Sequence, residues 1–423
     1  MADGVLVIGA GVAGMKASLM LAAADRRVFL VENSSVIGGR LIRCEDVYPS
    51  MECATCMVSP MQQEVLRNTG IELLMLSSVV SLERKDGGFV AVVLQRASSV
   101  DAEACIGCAE CWNACPVSLD NRFEEGMSRR SAISVPCAGA LPNVPWIDRN
   151  ACLRWTEGAE CSLCREACVF EAVDYEQADT EHRFEVSDVV IATGYDTAGD
   201  RYPEQAGSSG PGVFTASEFE RLYASNGPTS GELLMKDGRE PGSVALVVHA
   251  GGIGPHSAIS TLCGLKFLHY ISKKLPGIRP LVLLDGSYSP DPIDDPHHLS
   301  WKDVDSELAV HSGPVSLRSS KDGTEVVWNA GEEEQRRKMD MVILGPVMVP
   351  SEGTAGMAAL TGVSTDDSGY VHNPGPHRSS VLTSAPGILS IGCASGPAGV
   401  AASVESAAGA AGRILSSANR RPE

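Results

Sequence analysis

Eight cysteines crowd residues 105–168 of this 423-residue chain, and their spacing limits what the segment can become. Cys105, Cys108, Cys111 and Cys115 read C-x2-C-x2-C-x3-C and run directly into Pro116. Cys152, Cys161, Cys164 and Cys168 answer them downstream, with eight residues between the first two. Hydrophobic periodicity lapses here and resumes in HRFEVSDVVIATGYD. Paired C-x2-C motifs can hold zinc with four thiolates. Eight cysteines and the Cys-Pro ending favour two iron–sulfur clusters instead. A purely structural role is the weakest reading, because so many clustered thiols are an oxidation liability.

The N-terminus carries a second constraint. Gly9, Gly11 and Gly14 form G-x-G-x-x-G between the strand GVLVI and an apolar helix. Glycines there let the backbone turn tightly and approach a pyrophosphate, whose charge meets the helix N-terminal amides. Glu32 ends the next strand, where an acid binds a ribose hydroxyl. Gly38, Gly39 and Arg40 follow soon after, Thr193 and Gly194 close a later buried strand, and Gly392 ends a C-terminal one. This set resembles the thioredoxin-reductase-like flavoproteins with two dinucleotide-binding domains. The resemblance implies FAD held by Gly9, Gly11, Gly14, Glu32, Gly39, Arg40, Thr193, Gly194 and Gly392, with Gly392 near the flavin pyrimidine. A second α/β unit begins at SVALVVHAGGIG, but its turn from His249 to Ser257 lacks a clean glycine motif. NAD(P) is not expected there, since a degenerate motif more often marks a retained scaffold.

In two-cluster ferredoxins the fourth cysteine of each run serves the other cluster. By that likeness one 4Fe–4S cluster takes Cys105, Cys108, Cys111 and Cys168. The other takes Cys152, Cys161, Cys164 and Cys115. The fold expected is therefore α/β: a thioredoxin-reductase-like flavoprotein with an inserted two-cluster ferredoxin domain. The expected divisions are 1–97 (FAD domain, first part), 98–180 (ferredoxin insert), 181–240 (closing strand and linker), 241–345 (degenerate NAD(P)-binding-like domain) and 346–423 (FAD domain, C-terminal part).

A net charge of −19 argues against nucleic acid or an anionic membrane as a partner, and suits docking to basic patches on other subunits. No uncharged apolar run reaches the roughly 18 residues that span a bilayer. No basic n-region or cleavage site precedes the first strand. A cytoplasmic location is expected, and with it the reading of 14 cysteines as ligands or redox thiols rather than disulfides.

Six cysteines lie outside the cassette. Cys53 and Cys56 form a C-x2-C in YPSMECATCMVSP, Cys44 is near in sequence, and Cys263 and Cys393 are distant. Three readings compete: buried free thiols; a redox-active Cys53/Cys56 dithiol beside the flavin; or a third cluster on Cys53, Cys56, Cys263 and Cys393. The third is favoured, because Cys393 follows the glycine expected to face the flavin. Cys137 is read as structural. His297-His298, in an acidic proline-rich loop, is read as solvated rather than catalytic.

Together, the glycine motif with Gly38-Gly39-Arg40, YPSMECATCMVSP, the double cluster run, NRFEEGMSRRSAISVPCAGALPNVPWID and GCASGPAGVAASVESAAGAA resemble the HdrA-type flavin subunit of heterodisulfide reductase in its short bacterial form. The resemblance covers most of the chain. It implies FAD beside an inserted ferredoxin, and electrons passed between flavin, clusters and partner subunits that do disulfide or sulfur-carrier chemistry. Some family members split electron pairs at the flavin. Members commonly have a cysteine-rich stretch at 249–263, where this chain keeps only Cys263. An oxidoreductase subunit working in a complex is the leading expectation. A self-sufficient NAD(P)H-dependent disulfide or polysulfide reductase using Cys53/Cys56, and a non-catalytic assembly scaffold, are the alternatives.

Overall fold

The computed structural model describes residues 4–85, 87–197, 210–248, 258–286, 304–320, 322–375 and 381–418. The turn His249–Ser257 and the His297-His298 loop lie outside the described residues. The chain divides into two compact units: residues 1–42, 57–194 and 350–423, and residues 43–56 and 195–349.

The first unit is built on a seven-stranded sheet. In chain order come β1 (Gly4–Ile8), α1 (Val12–Ala22), β2 (Val28–Val31), α2 (Ala54–Arg67, its first turn in the second unit), β3 (Ile71–Leu74), β4 (Ser77–Lys85), β5 (Gly88–Gln95) and β6 (Thr180–Ile191). The strands lie in the order β3-β2-β1-β6-β5-β4, and the strand Ile388–Ser390 also pairs with β6. β1 and β2 are apolar at every position and buried throughout, as parallel strands covered on both faces must be. α1 and the C-terminal helix Val400–Ala418 share one core cluster, in which Met15, Leu21 and Leu30 are fully buried beside Ala407, Ala410 and Ala411. Small residues on the C-terminal helix let its backbone come close.

β6 does two jobs. Its first half runs antiparallel to β5, from Thr180 opposite Gln95 to Val186 opposite Phe89. Its second half runs parallel to β1, ending with Ile191 opposite Ile8. The cysteine segment thus leaves from β5 and returns into its hydrogen-bonded neighbour. Its ends are joined by Asp101 N–H donating to the Ala172 carbonyl (2.7 Å) and Asp174 N–H to that of Ser99 (3.0 Å). Inside, secondary structure is short: helices Glu110–Asn113, Leu153–Thr156 and Leu163–Glu166, and strands of two residues. The core here is small and includes thiols, with Cys111 and Cys164 packed among Val100, Ile133, Ile147, Val173 and Tyr175.

The second unit holds a five-stranded parallel sheet and a three-stranded antiparallel one. Its elements are β7 (Val213–Thr215), α3 (Ala216–Tyr223), β8 (Val244–Val247), α4 (Ala258–Lys274), β9 (Leu281–Asp285), β10 (Glu307–His311), β11 (Ser316–Ser320), β12 (Gly323–Ala330), β13 (Glu333–Met339) and β14 (Met341–Leu344). The order β7-β14-β8-β9-β10 is that of an α/β unit, and β11-β12-β13 forms the meander. α3 starts at a capping box: the Thr215 hydroxyl accepts from Glu218 N–H, and the Glu218 carboxylate from Thr215 N–H.

Residues 43–56 pack with this unit, although sequence order sets them among the FAD-domain residues. A buried network holds them. Arg221, 1% exposed, donates to the Arg43 carbonyl at 2.8 Å. The Glu220 carboxylate accepts from Glu45 N–H (3.1 Å), and Asp46 N–H donates to the Tyr270 hydroxyl (3.1 Å). Lys266 Nζ lies 2.5 Å from Glu220 with both side chains 8% exposed. Breaking such a buried pair from one side typically costs about 3–5 kcal/mol. The local sequence shows no sign of this, since the partners are about 175–225 residues away.

Among the described residues, no helix is long and apolar enough to cross a membrane.

Candidate functional site

Gly9 has φ +107°, and a Cβ on Gly14 would meet the Gly9 carbonyl oxygen at 1.9 Å, so helix α1 can start only against a bare backbone. Gly39 (φ +62°) approaches Gly11 so closely that a Cβ would sit 2.9 Å from its Cα. The two glycine turns therefore form one cradle. Glu32 is fixed beside it, accepting from Ala10 N–H through Oε2 and from Ser34 N–H through Oε1, both at 2.8 Å. The buried Ser35 hydroxyl, next in the chain, has no hydrogen-bond partner among the described residues. A glycine cradle, an oriented carboxylate and a spare buried hydroxyl fit a dinucleotide.

Of the other expected FAD residues, Arg40 is half-buried, 4.0 Å from Glu125. The Thr193 hydroxyl is 3.3 Å from that of Thr354, a neighbour sequence reading did not single out. Gly194 has φ +74° with open space around it. Gly392 has φ +59°, and its N–H donates to the Ser406 hydroxyl at 2.9 Å.

The eight cassette cysteines line two separate clefts. The first is lined by Cys105, Cys108, Cys111 and Cys168. The second is lined by Cys115, Cys152, Cys161 and Cys164. Three thiols in each come from one run and the fourth from the other. Among the described residues, no three His, Cys, Asp or Glu side chains group closely enough for a single metal ion. Thiols around a cleft suit a multi-atom cluster better than one ion at a point.

Backbone amides reach the sulfurs of the first cleft: Gly107 N–H to Cys105 Sγ and Ala172 N–H to Cys168 Sγ, both 3.4 Å. Burial, with the charge of Cys105 next, pushes the Cys111 thiol up to about 12. In the second cleft the Tyr175 hydroxyl lies 3.1 Å from Cys164 Sγ. The guanidinium groups of Arg154 and Arg165 sit over its ring at 4.4 and 4.6 Å. Burial raises the Cys164 and Cys152 thiols as well, the Tyr175 bond opposing it at Cys164. Tyr175 was invisible in the sequence, where one tyrosine in VDYEQ looks like any other.

The remaining cysteines divide. Cys53 ends a two-residue strand and Cys56 lies in the first turn of α2, where its N–H donates to Cys53 Sγ at 3.3 Å. Both are exposed, and the Cys53 thiol bonded to Cys56 raises the latter's pKa. The helix begins at Ala54 and keeps Pro60 inside it. Cys263 is half-buried in α4, its thiol pushed up to about 12 by desolvation, with Lys266 opposing and Glu220 and Cys44 adding to the rise. Cys393, in the first unit, donates to the Ala398 carbonyl at 3.2 Å. Cys137 is half-buried beside the turn that carries Ala140 N–H to its carbonyl.

A family model for an FAD binding domain matches residues 4–45, the segment of the glycine cradle and Glu32. The chain is 29% identical over 425 residues to the A subunit of the H2:CoB-CoM heterodisulfide, ferredoxin reductase of Methanothermobacter marburgensis, covering 97% of this chain and 63% of that one. It is 27% identical over 421 residues to the iron-sulfur A subunit of the CoB–CoM heterodisulfide reductase of Methanocaldococcus jannaschii, with the same coverage of 97% and 63%. The chain thus spans less than two thirds of the length of these relatives. In fold it is similar to the thioredoxin reductase of T. acidophilum, with a TM-score of 0.55 at 12% identity over 98% of this chain and 99% of that one. The thioredoxin-reductase-like architecture expected from the glycine motifs is borne out.

Proposed function

We propose that the chain is an FAD- and iron–sulfur-containing electron-transfer subunit of a heterodisulfide reductase-like complex, working with other subunits and electron carriers on sulfur compounds. The observation that carries this is the pair of four-cysteine clefts, in the same compact unit as the dinucleotide cradle. Cys105, Cys108, Cys111 and Cys168 hold one 4Fe–4S cluster, and Cys115, Cys152, Cys161 and Cys164 the other. Gly9, Gly11, Gly14, Glu32 and Gly39 hold the FAD pyrophosphate and ribose, and Arg40, Thr193, Gly194 and Gly392 line the rest of its site. Bound there, FAD supplies two-electron chemistry and the clusters single-electron steps. The chain's own work is to hold these groups and shape their surroundings. Buried thiols and backbone N–H groups aimed at sulfur set how readily a cluster accepts charge.

Anaerobic purification with iron, sulfide and flavin analysis tests the proposal. About eight irons per FAD are expected for two clusters. About twelve would add the cluster on Cys53, Cys56, Cys263 and Cys393, and none would sink the reading.

A second reading rests on the direct contact of Cys53 with Cys56 at the start of α2. Two exposed thiols so placed can exchange with a disulfide. Rapid flavin bleaching by NAD(P)H alone, with reoxidation of the reduced flavin by a disulfide lost in Cys56→Ser, would favour this reductase. Reduction only in the presence of partner subunits would favour the first reading.

A further inference from the structure

The mouth of the first cleft carries exposed apolar side chains that the fold does not use. Ile106 is 62% exposed, Val169 80% and Phe170 44%. Ile106 and Phe170 line the cleft itself, together with Cys105, Cys108 and Cys168, and Cys108 is also exposed. Three large apolar groups left in water at one small site mark a contact surface rather than a packing defect.

The charge around them has one sign. Residues 101–110 and 168–173 contain Asp101, Glu103, Glu110 and Glu171 and neither Lys nor Arg. All four acids are exposed. Among the described residues, no basic side chain forms an ion pair with Glu103, Glu110 or Glu171. The second cleft differs: its exposed apolar residue is Leu163, and Arg154 and Arg165 stand nearby over Tyr175.

We propose that the mouth of the first cleft is the docking surface for a one-electron carrier protein whose redox centre lies beneath an apolar patch rimmed by lysine and arginine. The proposal rests on the iron–sulfur reading above. Apolar side chains exclude water over the exposed edge at Cys108, and unpaired carboxylates steer a basic partner to it. One electron crosses per encounter, one centre being oxidised as the other is reduced. No bond or proton changes hands.

Horse cytochrome c, a basic one-electron carrier, is a suitable probe. Its ferric form is passed over the immobilised full-length protein, and its reduction by the dithionite-reduced, desalted protein is timed separately. Binding should weaken at least about tenfold between about 20 and 300 mM salt. Glu103→Lys/Glu110→Lys/Glu171→Lys should weaken it by at least about tenfold and slow reduction in step. Val169→Ser/Phe170→Ser should weaken it about fivefold or more. An exposed reversal in the second unit, Glu240→Lys/Glu332→Lys/Glu333→Lys, should change binding by less than about twofold. Each variant is assayed for iron. Mouth variants with full iron and unchanged binding overturn the docking surface alone, as does equal weakening by the second-unit variant or tighter binding of an acidic ferredoxin. A protein without iron overturns the iron–sulfur reading, and the docking surface with it.

Discussion

The two cysteine clefts have the same thiol count and both carry hydrogen bonds to sulfur, yet they differ in the charge and the exposed apolar side chains around them. The first opens among exposed Ile106, Val169 and Phe170 and carries only acids at its mouth. The second has a hydroxyl against one sulfur and two guanidinium groups stacked on that tyrosine. Positive charge near a cluster stabilises its more negative, reduced state, and carboxylates oppose it. Two clusters so housed should have different potentials, with the second accepting an electron more readily. The first is shaped for contact and the second for retention.

The largest expected effects test whether the clefts are separate units at all. Cys111→Ser should remove about four irons, and adding Cys168→Ser should remove no more, since both line the first cleft. Cys111→Ser with Cys115→Ser should remove about eight, because it damages both clefts although the residues are near in sequence. Iron analysis reads both. If the pairing follows sequence order instead, the clefts are not the ligand sets.

Next come two glycines. Gly107, in the first run, has φ +69°, and a Cβ there would sit 2.2 Å from Asn143 Nδ2. Gly158, between Cys152 and Cys161, has φ +63° and open space. Gly107→Ala combines strain with a clash and should cost about 1–3 kcal/mol, with iron lost from the first cleft. Gly158→Ala carries the strain alone and should cost about 1 kcal/mol with iron retained. Thermal melts of the anaerobic protein separate the two, and equal losses would remove the distinction.

The smallest effect is also the most specific. Tyr175→Phe deletes the hydroxyl at Cys164 and leaves the ring beneath the two arginines. The second centre's midpoint should fall by about 20–60 mV, the one-electron equivalent of a hydrogen bond worth about 0.5–1.5 kcal/mol. The first centre should not move. Redox titration followed by paramagnetic resonance would show it, and a shift in both would mean that the tyrosine does not distinguish them.

Much of the scaffold was legible because local chemistry dictated it. Gly9, Gly11 and Gly14 read as a turn from their spacing between an apolar strand and a helix, and the pattern of HRFEVSDVVIATGYD read as a strand. The insertion point was legible for the same reason: periodicity stops after β5 and returns with β6. Other features left no local trace. The attachment of residues 43–56 to the second unit depends on Glu220, Arg221, Lys266 and Tyr270, far along the chain.

The sequence by itself determined that eight thiols at cluster spacing accompany a dinucleotide turn, because spacing and glycine are properties of neighbouring residues. The crossing of Cys168 and Cys115 between the two sets was already implied by the ferredoxin likeness; only the tertiary structure decided that Tyr175 touches Cys164 and that the first cleft opens among acids and bare apolar side chains. Those facts depend on which distant residues the fold brings together, and no local pattern encodes the environment of a sulfur atom.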